Sequence, residues 1–274
     1  MFDNKQKEAK RFCLKNRVVV VTGSSGILGT VYCQALAQRG SCLVMADLAI
    51  KNPEKRATAL KNKTGAKTLG VVCDICCEHD VKSLFKKAIA RFGRVDAVLN
   101  NAAATSEFMS KEKPLSGSFE NYPLFAWEKV IKTNLTGAFL VAREGGKVLN
   151  QCGGGSLVNV SSIYAIAAPD HRIYKGMSFN SNPAYSAGKA GVHGLTLWLS
   201  SYWGNKKIRV NTLVPGGVFN QHKKEFVRRY ANRTPMGRMA NRDDLIGVII
   251  FLISDASLYC TGQQFIVDGG LTAW

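Results

Sequence analysis

Two side chains that could move a proton in a reaction, Tyr185 and Lys189, stand four residues apart. They begin a stretch with helical periodicity, so they share one face of a helix. An ammonium group beside a phenol lowers the pKa of that phenol from its ordinary value of about 10, which makes it a general acid or base near neutral pH. A Tyr–Lys pair at this spacing also occurs by chance, so the prediction depends on further residues.

Two polar side chains upstream could complete such a site. The apolar run Leu157–Val160 is followed by two serines, and the hydroxyl of Ser162 could bond a reacting oxygen or cap the next turn. Asn134 lies inside an otherwise apolar helical stretch. An asparagine there fits a local kink or a bound water molecule, and the sequence leaves both open.

A glycine-rich turn, Thr22–Gly29, follows the first apolar run and opens a helix. Its glycines permit a close approach of the backbone to a pyrophosphate, which the N-terminus of the helix would bind. Asp47 ends the second run, where a carboxylate would bind the adenosine ribose hydroxyls and repel a 2′-phosphate. No basic residue lies in the turn or beside Asp47, so NAD is favoured over NADP. Steric use of glycine and a helix-capping Asp47 are the alternatives.

The third and fourth runs also end in polar or small residues. Asp74 ends the third run, from which a short acid could reach an adenine ring. Asn100–Ala103 end the fourth run, and small residues there would let the chain pass close to a bound ribose. Taken alone, either segment is ordinary loop sequence.

Seven apolar runs alternate with amphipathic stretches, and the polar residues above stand at the ends of the runs. The runs are apolar at consecutive positions, as in a parallel sheet covered on both faces. Predicted strands are Val18–Thr22, Leu43–Asp47, Thr68–Asp74, Ala97–Asn100, Leu157–Ser161, Arg209–Val214 and Phe265–Asp268. Predicted helices are Leu28–Arg39, Glu54–Lys63, Asp80–Phe92, Trp127–Leu149, Tyr185–Trp203 and Asp243–Leu252. The alternation predicts a doubly wound α/β sheet.

The whole chain has the size and composition of one compact domain. It has 274 residues, of which 46% are hydrophobic and 20% charged, and single cores grow to roughly 250–300 residues. No apolar run approaches the roughly 20 residues of a membrane span, and the N-terminus lacks the apolar region of a secretory signal. We therefore expect a cytoplasmic protein without membrane association.

The eight cysteines do not suggest a disulfide framework or a metal site. Several lie inside apolar runs, where a free thiol behaves as a small hydrophobic group. Cys73, Cys76, Cys77 and His79 are close in sequence, but no second pair of ligands follows, as a structural zinc site usually needs. We expect reduced thiols and no bound metal.

The chain is strongly basic. It carries 37 Lys and Arg against 19 Asp and Glu, a formal net charge of +18. No zinc-finger, RNP or basic-zipper pattern accompanies this charge, so no specific nucleic-acid partner is expected. Most basic residues are expected to be solvated, but two clusters, His171–Lys175 and Lys223–Arg242, could bind an anionic small molecule.

In this combination and order, the residues resemble the short-chain dehydrogenase/reductase family. The resemblance covers nearly all of residues 14–271 and adds Asn211, Pro215-Gly216, Thr261-Gly262-Gln263 and Asp268-Gly269-Gly270 to the motifs above. It implies a single Rossmann-type domain over residues 1–274, with a seven-stranded parallel sheet, helices on both faces and an N-terminal extension, residues 1–16. It further implies a tetramer or dimer, and hydride transfer between NAD(H) and a secondary alcohol or ketone.

The resemblance also implies a role for each site residue. Tyr185 is the general acid or base, and Lys189 lowers its pKa and binds the nicotinamide ribose. Ser162 bonds the substrate oxygen, and Asn134 holds a water of the proton relay. The implied cofactor-binding residues are Gly23, Ser25, Gly26, Leu28, Gly29, Asp47, Leu48, Asp74, Ile75, Asn101, Ala102, Ala103, Tyr185, Lys189, Pro215, Gly216 and Val218.

Three features depart from the family pattern. The spacing of Gly23, Gly26 and Gly29 is that of the family's extended, nucleotide-sugar type, and Asn220 stands where threonine is common. Ser162 and Tyr185 are further apart than usual, which leaves an insert over residues 169–183. With residues 219–242 it would cover the substrate. We expect an anionic, sugar-like substrate held by Tyr164, His171, Arg172, Lys175 and Arg228, unless both basic segments are merely exposed.

The segment from Asn159 to Tyr164, with the insert, is also similar to a subgroup linked to flagellin and surface-sugar modification and to gluconate 5-dehydrogenase-like enzymes. Two other functions stay open. One is a 3-oxoacyl carrier-protein reductase using NADPH, against which Asp47 argues. The other is a non-catalytic dinucleotide-binding protein, which would have no need of the proton-transfer residues.

Overall fold

A computed structural model describes residues 10–104, 118–177 and 180–274 of the chain. Its sheet contains β1 Val18–Thr22, β2 Cys42–Asp47, β3 Thr68–Val72, β4 Ala97–Asn100, β5 Gly155–Val160, β6 Ile208–Pro215 and β7 Gln264–Val267. All neighbouring strands are parallel, in the order β3-β2-β1-β4-β5-β6-β7. The predicted Rossmann-type sheet of seven parallel strands is confirmed.

Helices connect the strands and cover both faces of the sheet. They are α1 Ile27–Gln38, α2 Pro53–Thr64, α3 Glu78–Phe92, α4 Leu124–Ile131, α5 Ala138–Gln151, α6 Pro183–Trp203, α7 Lys224–Ala231 and α8 Ile246–Ile253. Val18 and Val20 pack on the side of α3 and α5, whereas Val19 and Val21 pack on the side of α1 and α8. Because both faces are buried, consecutive positions of a strand are apolar.

The helix predicted over Trp127–Leu149 is interrupted. α4 ends at Ile131, a π-helical turn covers Lys132–Gly137, and α5 follows directly. The turn contains Asn134, at which the sequence left a kink or a bound water open. Wide turns of this kind are frequent at functional sites. The helix predicted over Asp243–Leu252 likewise begins with a 3-10 turn before α8.

The order of the strands reverses at β1, which lies between β2 and β4. In open sheets of this class, ligands bind beyond the carboxyl ends of the strands at such a reversal. Parts of the predicted segments lie outside the described residues: residues 1–9 of the N-terminal extension and residues 178–179 of the insert.

The described ranges contain neither a membrane-spanning helix nor a metal-binding cluster. No helix there is long and apolar enough to cross a membrane. No group of three or more His, Cys, Asp or Glu side chains in those ranges is arranged to hold a metal ion. All eight cysteines lie among the described residues, and each is a free thiol there.

Candidate active site

The glycine-rich turn between β1 and α1 is closely packed. Gly23 has a φ of 63°, in the left-handed region that favours glycine. A Cβ on Gly29 would lie 2.0 Å from the carbonyl oxygen of Gly23, so no larger residue fits there without moving the turn. The unusual glycine spacing therefore still produces a tight turn at the start of α1.

Hydrogen bonds hold this turn against the end of β4. The Thr22 hydroxyl accepts from the backbone N–H groups of Asn101 and Ala102, at 3.1 and 3.2 Å. The Asn101 side-chain amide donates to the carbonyl groups of Thr22 and Gly23. Ala103, the next residue, is exposed. The carboxyl ends of β1 and β4 are thus fixed relative to each other.

The residues at this end of the sheet fit a dinucleotide. The hydroxyl groups of Ser24 and Ser25 are buried and have no hydrogen-bond partner among the described residues. Because buried polar groups are normally paired, these hydroxyls and the first-turn N–H groups of α1 suit a bound pyrophosphate. The Asp47 carboxylate accepts from the N–H groups of Ser25 and Leu48, each at 2.8 Å. The acid that would bind ribose therefore lies against the turn.

The segment after β3 lies next to the π-helical turn. Asp74 is exposed, and its carboxylate accepts from the N–H of Cys76 at 2.9 Å. Ile75 is buried against Gly137, where a Cβ would lie 2.7 Å from the Ile75 side chain. The loop predicted to face the adenine ring is therefore packed on the turn that contains Asn134.

The cap of α6 positions Tyr185. The side-chain oxygen of Asn182 accepts from the Tyr185 N–H at 3.2 Å and from the Tyr122 hydroxyl at 2.8 Å. Pro183 takes the first helical position, where its missing N–H costs nothing. Tyr185 therefore lies in the first turn of a capped helix, with Lys189 one turn further along the same face, as predicted.

Ser162 lies beside the Tyr185 phenol. Ser162 is buried just beyond the end of β5 and hydrogen-bonds Tyr185. Burial raises the pKa of Tyr185, and the Ser162 hydrogen bond offsets only part of that rise. The net direction is opposite to the one expected from the Lys189 ammonium, and the lowering effect of Lys189 on this pKa stays a prediction. The Lys189 ammonium lies 5.9 Å from the centre of the Tyr185 ring, and burial has the larger effect.

Lys189 is itself buried, and its ammonium donates to the Val160 carbonyl at 2.6 Å. Burial lowers the pKa of Lys189 to about 8. One turn further, His193 Nε2 lies 2.8 Å from the Ser161 hydroxyl, which donates to the Lys189 carbonyl. Burial and the charge of Lys189 lower the pKa of His193. These bonds tie the active face of α6 to the end of β5.

Asn134 holds the chain that leaves β4. Its side-chain oxygen accepts from the N–H of Ala104 at 2.7 Å, and its amide nitrogen donates to the carbonyl of the same residue at 3.0 Å. A residue in the π-helical turn thus fixes a segment thirty positions away in sequence. The kinked helix is explained by this tie, and the predicted water stays a prediction.

The loop after β6 is held by α7. Pro215 ends the strand, Gly216 follows it, and Val218 forms an isolated bridge to a later segment. The N–H of Gly217 donates to the Tyr230 hydroxyl at 2.5 Å. A Cβ on Gly217 would lie 2.7 Å from the Tyr230 ring, so the contact requires glycine. The segment predicted to face the nicotinamide is therefore fixed from behind by Tyr230.

The two arginines of the predicted basic clamp form ion pairs within the protein. Arg172 pairs with Asp170, and Arg228 pairs with Glu225, both at 2.8 Å. The two arginine side chains are 82% and 66% exposed. Each guanidinium donates to a carboxylate close by in sequence and faces solvent, and each carboxylate also pairs with a second arginine, Asp170 with Arg233 and Glu225 with Arg229. The alternative of a merely exposed basic surface describes both residues.

The residue of the insert that packs inside the protein is aromatic. His171 and Lys175 are exposed, like the arginines, whereas Tyr174 is buried. The Tyr174 hydroxyl lies 2.7 Å from the Tyr164 hydroxyl. Tyr164 also donates its N–H to the Ser162 hydroxyl at 3.2 Å. Of the predicted substrate residues, Tyr164 alone is tied by a hydrogen bond to the proton-transfer residues among the described contacts.

Three residues at the site were not predicted: Tyr174, Tyr230 and Asn182. Asn182 could have been found, because Asn followed by Pro is typical of a helix N-cap and first position. Tyr174 and Tyr230 act through contacts with other elements, and no local pattern in the sequence indicates those contacts.

Comparison with known proteins agrees with this geometry. The family model described as enoyl-(acyl carrier protein) reductase matches residues 22–272. The chain is 27% identical to the post-translational flagellin modification protein A of Campylobacter coli, over 94% of this chain and 98% of that protein. It is 30% identical to D-threitol dehydrogenase of Mycolicibacterium smegmatis, over 95% of each.

Solved structures give the same result. A gluconate 5-dehydrogenase from Burkholderia cenocepacia, in complex with NADP and tartrate, superposes with a TM-score of 0.86 at 26% identity. The match covers 97% of this chain and 99% of that one. Both the main family resemblance and the weaker subgroup similarity are confirmed. The chain belongs to the short-chain dehydrogenase/reductase family of NAD(P)-dependent oxidoreductases.

Proposed function

We propose that this protein transfers hydride between NAD(H) and a secondary alcohol or ketone of a polar, sugar-like molecule, with Tyr185 as the general acid or base. The observation that carries the proposal is the meeting of Ser162, Tyr185 and Lys189 beyond the end of β5. At the same end of the sheet lies the glycine-rich turn, whose buried Ser24 and Ser25 hydroxyls suit a dinucleotide. When bound, the nicotinamide ring supplies the hydride acceptor for oxidation and the hydride donor for reduction.

Tyr185 handles the proton that accompanies the hydride. In oxidation, its phenolate takes the hydroxyl proton of the alcohol while the C–H electron pair leaves as hydride, and reduction reverses both transfers. Ser162 orients the substrate oxygen and stabilises the phenolate. Because burial raises the pKa of Tyr185, the phenolate forms at alkaline pH, so oxidation is favoured there and reduction at lower pH.

Lys189 and Asn134 support this transfer. The Lys189 ammonium lies close to the phenol and, with a pKa lowered to about 8, can exchange its proton in the working pH range. It would also hold the nicotinamide ribose. Asn134 fixes the π-helical turn and would hold the water that carries the proton onward.

The cofactor that this site favours is NAD. The Asp47 carboxylate is oriented by two backbone N–H groups at the end of β2, where a 2′-phosphate would meet a negative charge. No basic residue in the turn offsets that charge. The gluconate 5-dehydrogenase described above is in complex with NADP, and we propose that Asp47 selects NAD in this protein.

The substrate is proposed to be a hydroxyl-bearing, sugar-like molecule. The names of two relatives, a threitol and a gluconate dehydrogenase, support this class. We assign residues 169–183 and 219–242 as the segments that cover the substrate within one nucleotide-binding domain. Arg172 and Arg228 give no specific support for an anionic substrate, because both side chains face solvent and already donate to carboxylates.

A thermal-shift titration of the whole protein tests the cofactor assignment. NAD at about 100 times its Kd should stabilise the fold by roughly 2.7 kcal/mol, while NADP should have a much smaller effect. In Asp47→Ala, the NAD shift should fall and the NADP shift should grow. Asp243→Ala, which removes an exposed acid elsewhere, is the matched control and should behave like wild type.

The same titration separates the alternatives. Stabilisation by NADP alone would favour the carrier-protein reductase alternative and would contradict the proposal. Stabilisation by NAD without turnover of any alcohol would favour a non-catalytic dinucleotide-binding protein. No response to either dinucleotide would contradict all three.

A further inference from the structure

The insert, residues 169–183, contributes one member of a tyrosine pair, Tyr174, and the other member is Tyr164. The described part of the insert forms a 3-10 turn, His171–Tyr174, whose last residue is buried. The hydroxyl oxygens of Tyr174 and Tyr164 are 2.7 Å apart. Tyr164 follows Ser162 by two residues and donates its N–H to the Ser162 hydroxyl. The pair therefore joins the insert to the residues that transfer the proton.

Helix α7 holds Tyr174 from the other side. The rings of Tyr174 and Phe226 have their centroids 5.6 Å apart. The Arg229 guanidinium donates to the carbonyl groups of Ile173 and Lys175, the residues on either side of Tyr174. These contacts fix the Tyr174 ring and backbone, so its hydroxyl meets Tyr164 in one arrangement.

The hydroxyl pair is uncharged and close to the reacting phenol. Burial raises the pKa of Tyr174 to about 12 and also raises the pKa of Tyr164. The charge that Tyr185 would carry on ionisation adds to both increases, because the three phenol groups lie near one another. The pair therefore presents neutral hydroxyl groups beside Tyr185 at any ordinary pH.

Three arginines in or close to the insert have carboxylate partners. Arg172 and Arg233 pair with Asp170, at 2.8 and 3.2 Å. Arg229 pairs with Glu225 at 2.8 Å. Each of the two carboxylates is shared by two arginines, so an anionic ligand would have to compete with Asp170 and Glu225 for guanidinium groups that already donate to them.

We propose that Tyr164 and Tyr174 recognise an uncharged hydroxyl group next to the reacting carbon, and that Tyr174 is a positioning residue that orients Tyr164. This inference rests on the proposed function, which makes Tyr185 the reacting acid or base. Phenol hydroxyls both donate and accept hydrogen bonds, but they do not compensate the charge of a carboxylate or phosphate. The substrate class that fits is a neutral vicinal diol or the corresponding hydroxyketone.

Steady-state NADH formation with three matched alcohols tests this selection. The probes are cyclohexanol, a vicinal cyclohexanediol, and the hydroxycyclohexane carboxylate in which a carboxylate replaces the second hydroxyl. Wild type should give the highest kcat/KM with the diol. Tyr174→Phe keeps the ring against Phe226 and removes one hydrogen bond, so kcat/KM for the diol should fall about tenfold while that for cyclohexanol stays unchanged. Tyr202→Phe, on the exposed side of α6, is the control.

A double variant shows whether Tyr174 acts through Tyr164. If it does, Tyr164→Phe combined with Tyr174→Phe should lose no more activity on the diol than Tyr164→Phe alone. Equal losses on the diol and on cyclohexanol, additive losses in the double variant, or a wild-type preference for the carboxylate would overturn the inference alone. NADH formation from none of the three would contradict the proposed function, and this inference with it.

Discussion

Burial disfavours the charged form of Lys189 and lowers its pKa to about 8 from an ordinary 10.5. The side chain is still mostly charged at neutral pH, because that pKa lies above 7. At neutral pH the folded protein holds this ammonium at a free-energy cost, which an uncharged side chain of similar length would remove. We expect Lys189→Met to raise the free energy of unfolding at neutral pH by about 1–3 kcal/mol and to abolish turnover.

The pH dependence of this effect has a definite sign. Between pH 8 and 10.5, the unfolded chain binds more protons at Lys189 than the folded chain, so wild-type stability rises with pH across that window. The difference in free energy of unfolding between Lys189→Met and the wild type should therefore become smaller as the pH rises through this window. Urea denaturation at neutral pH and again above pH 8 measures both effects, with the exposed Lys61→Met as control. A variant less stable than wild type at neutral pH would contradict the buried-charge argument.

Some of the site residues could be predicted from the sequence and others could not. Tyr185, Lys189 and Ser162 were predicted because their order and spacing are distinctive. The ion pair of Arg228 could have been predicted, because Glu225 stands three positions before it and such pairs form on helices. Tyr174 could not be predicted, since its partner Tyr164 is set by how the insert folds back on the site.

At the scale of elements, the cap of α6 determines where Tyr185 sits. Asn182→Ala removes the acceptor for the Tyr185 N–H and for the Tyr122 hydroxyl. We expect the free energy of unfolding to fall by about 1 kcal/mol. kcat should fall as well, because the phenol is no longer fixed.

The matched variant is Asn182→Asp, which keeps an oxygen acceptor at the cap. Stability and kcat should both recover in it, and denaturation and initial-rate measurements give the two values. If Asn182→Ala lowered stability without changing kcat, the cap would have no part in positioning Tyr185.

The elements themselves were largely predictable. Strand positions follow from continuous apolar runs, because a doubly covered parallel sheet buries every residue of a strand. The π-helical turn that interrupts the helix predicted over Trp127–Leu149 could not be predicted from the sequence. It depends on Asn134 bonding Ala104, a contact between segments far apart in sequence. Local periodicity carries no information about such a contact.

At the scale of the whole molecule, α6 leaves an apolar patch on the surface. Leu197, Trp198 and Tyr202 are each more than half exposed, and the last two rings stack with centroids 4.8 Å apart. The family resemblance implies a tetramer or dimer. That assembly and the cytoplasmic location stay predictions. Most of the basic residues behind the net charge of +18 are expected to lie on solvated surface.

The most direct test of the central claim compares wild type with Tyr185→Phe in NADH formation from the vicinal cyclohexanediol, with the NAD thermal shift measured in parallel. We predict that the wild type forms NADH and that the variant loses at least about a hundredfold in kcat while its NAD shift is kept. Such a result would separate proton transfer from cofactor binding. A variant that retains the wild-type rate would contradict the assignment of Tyr185 as the general acid or base.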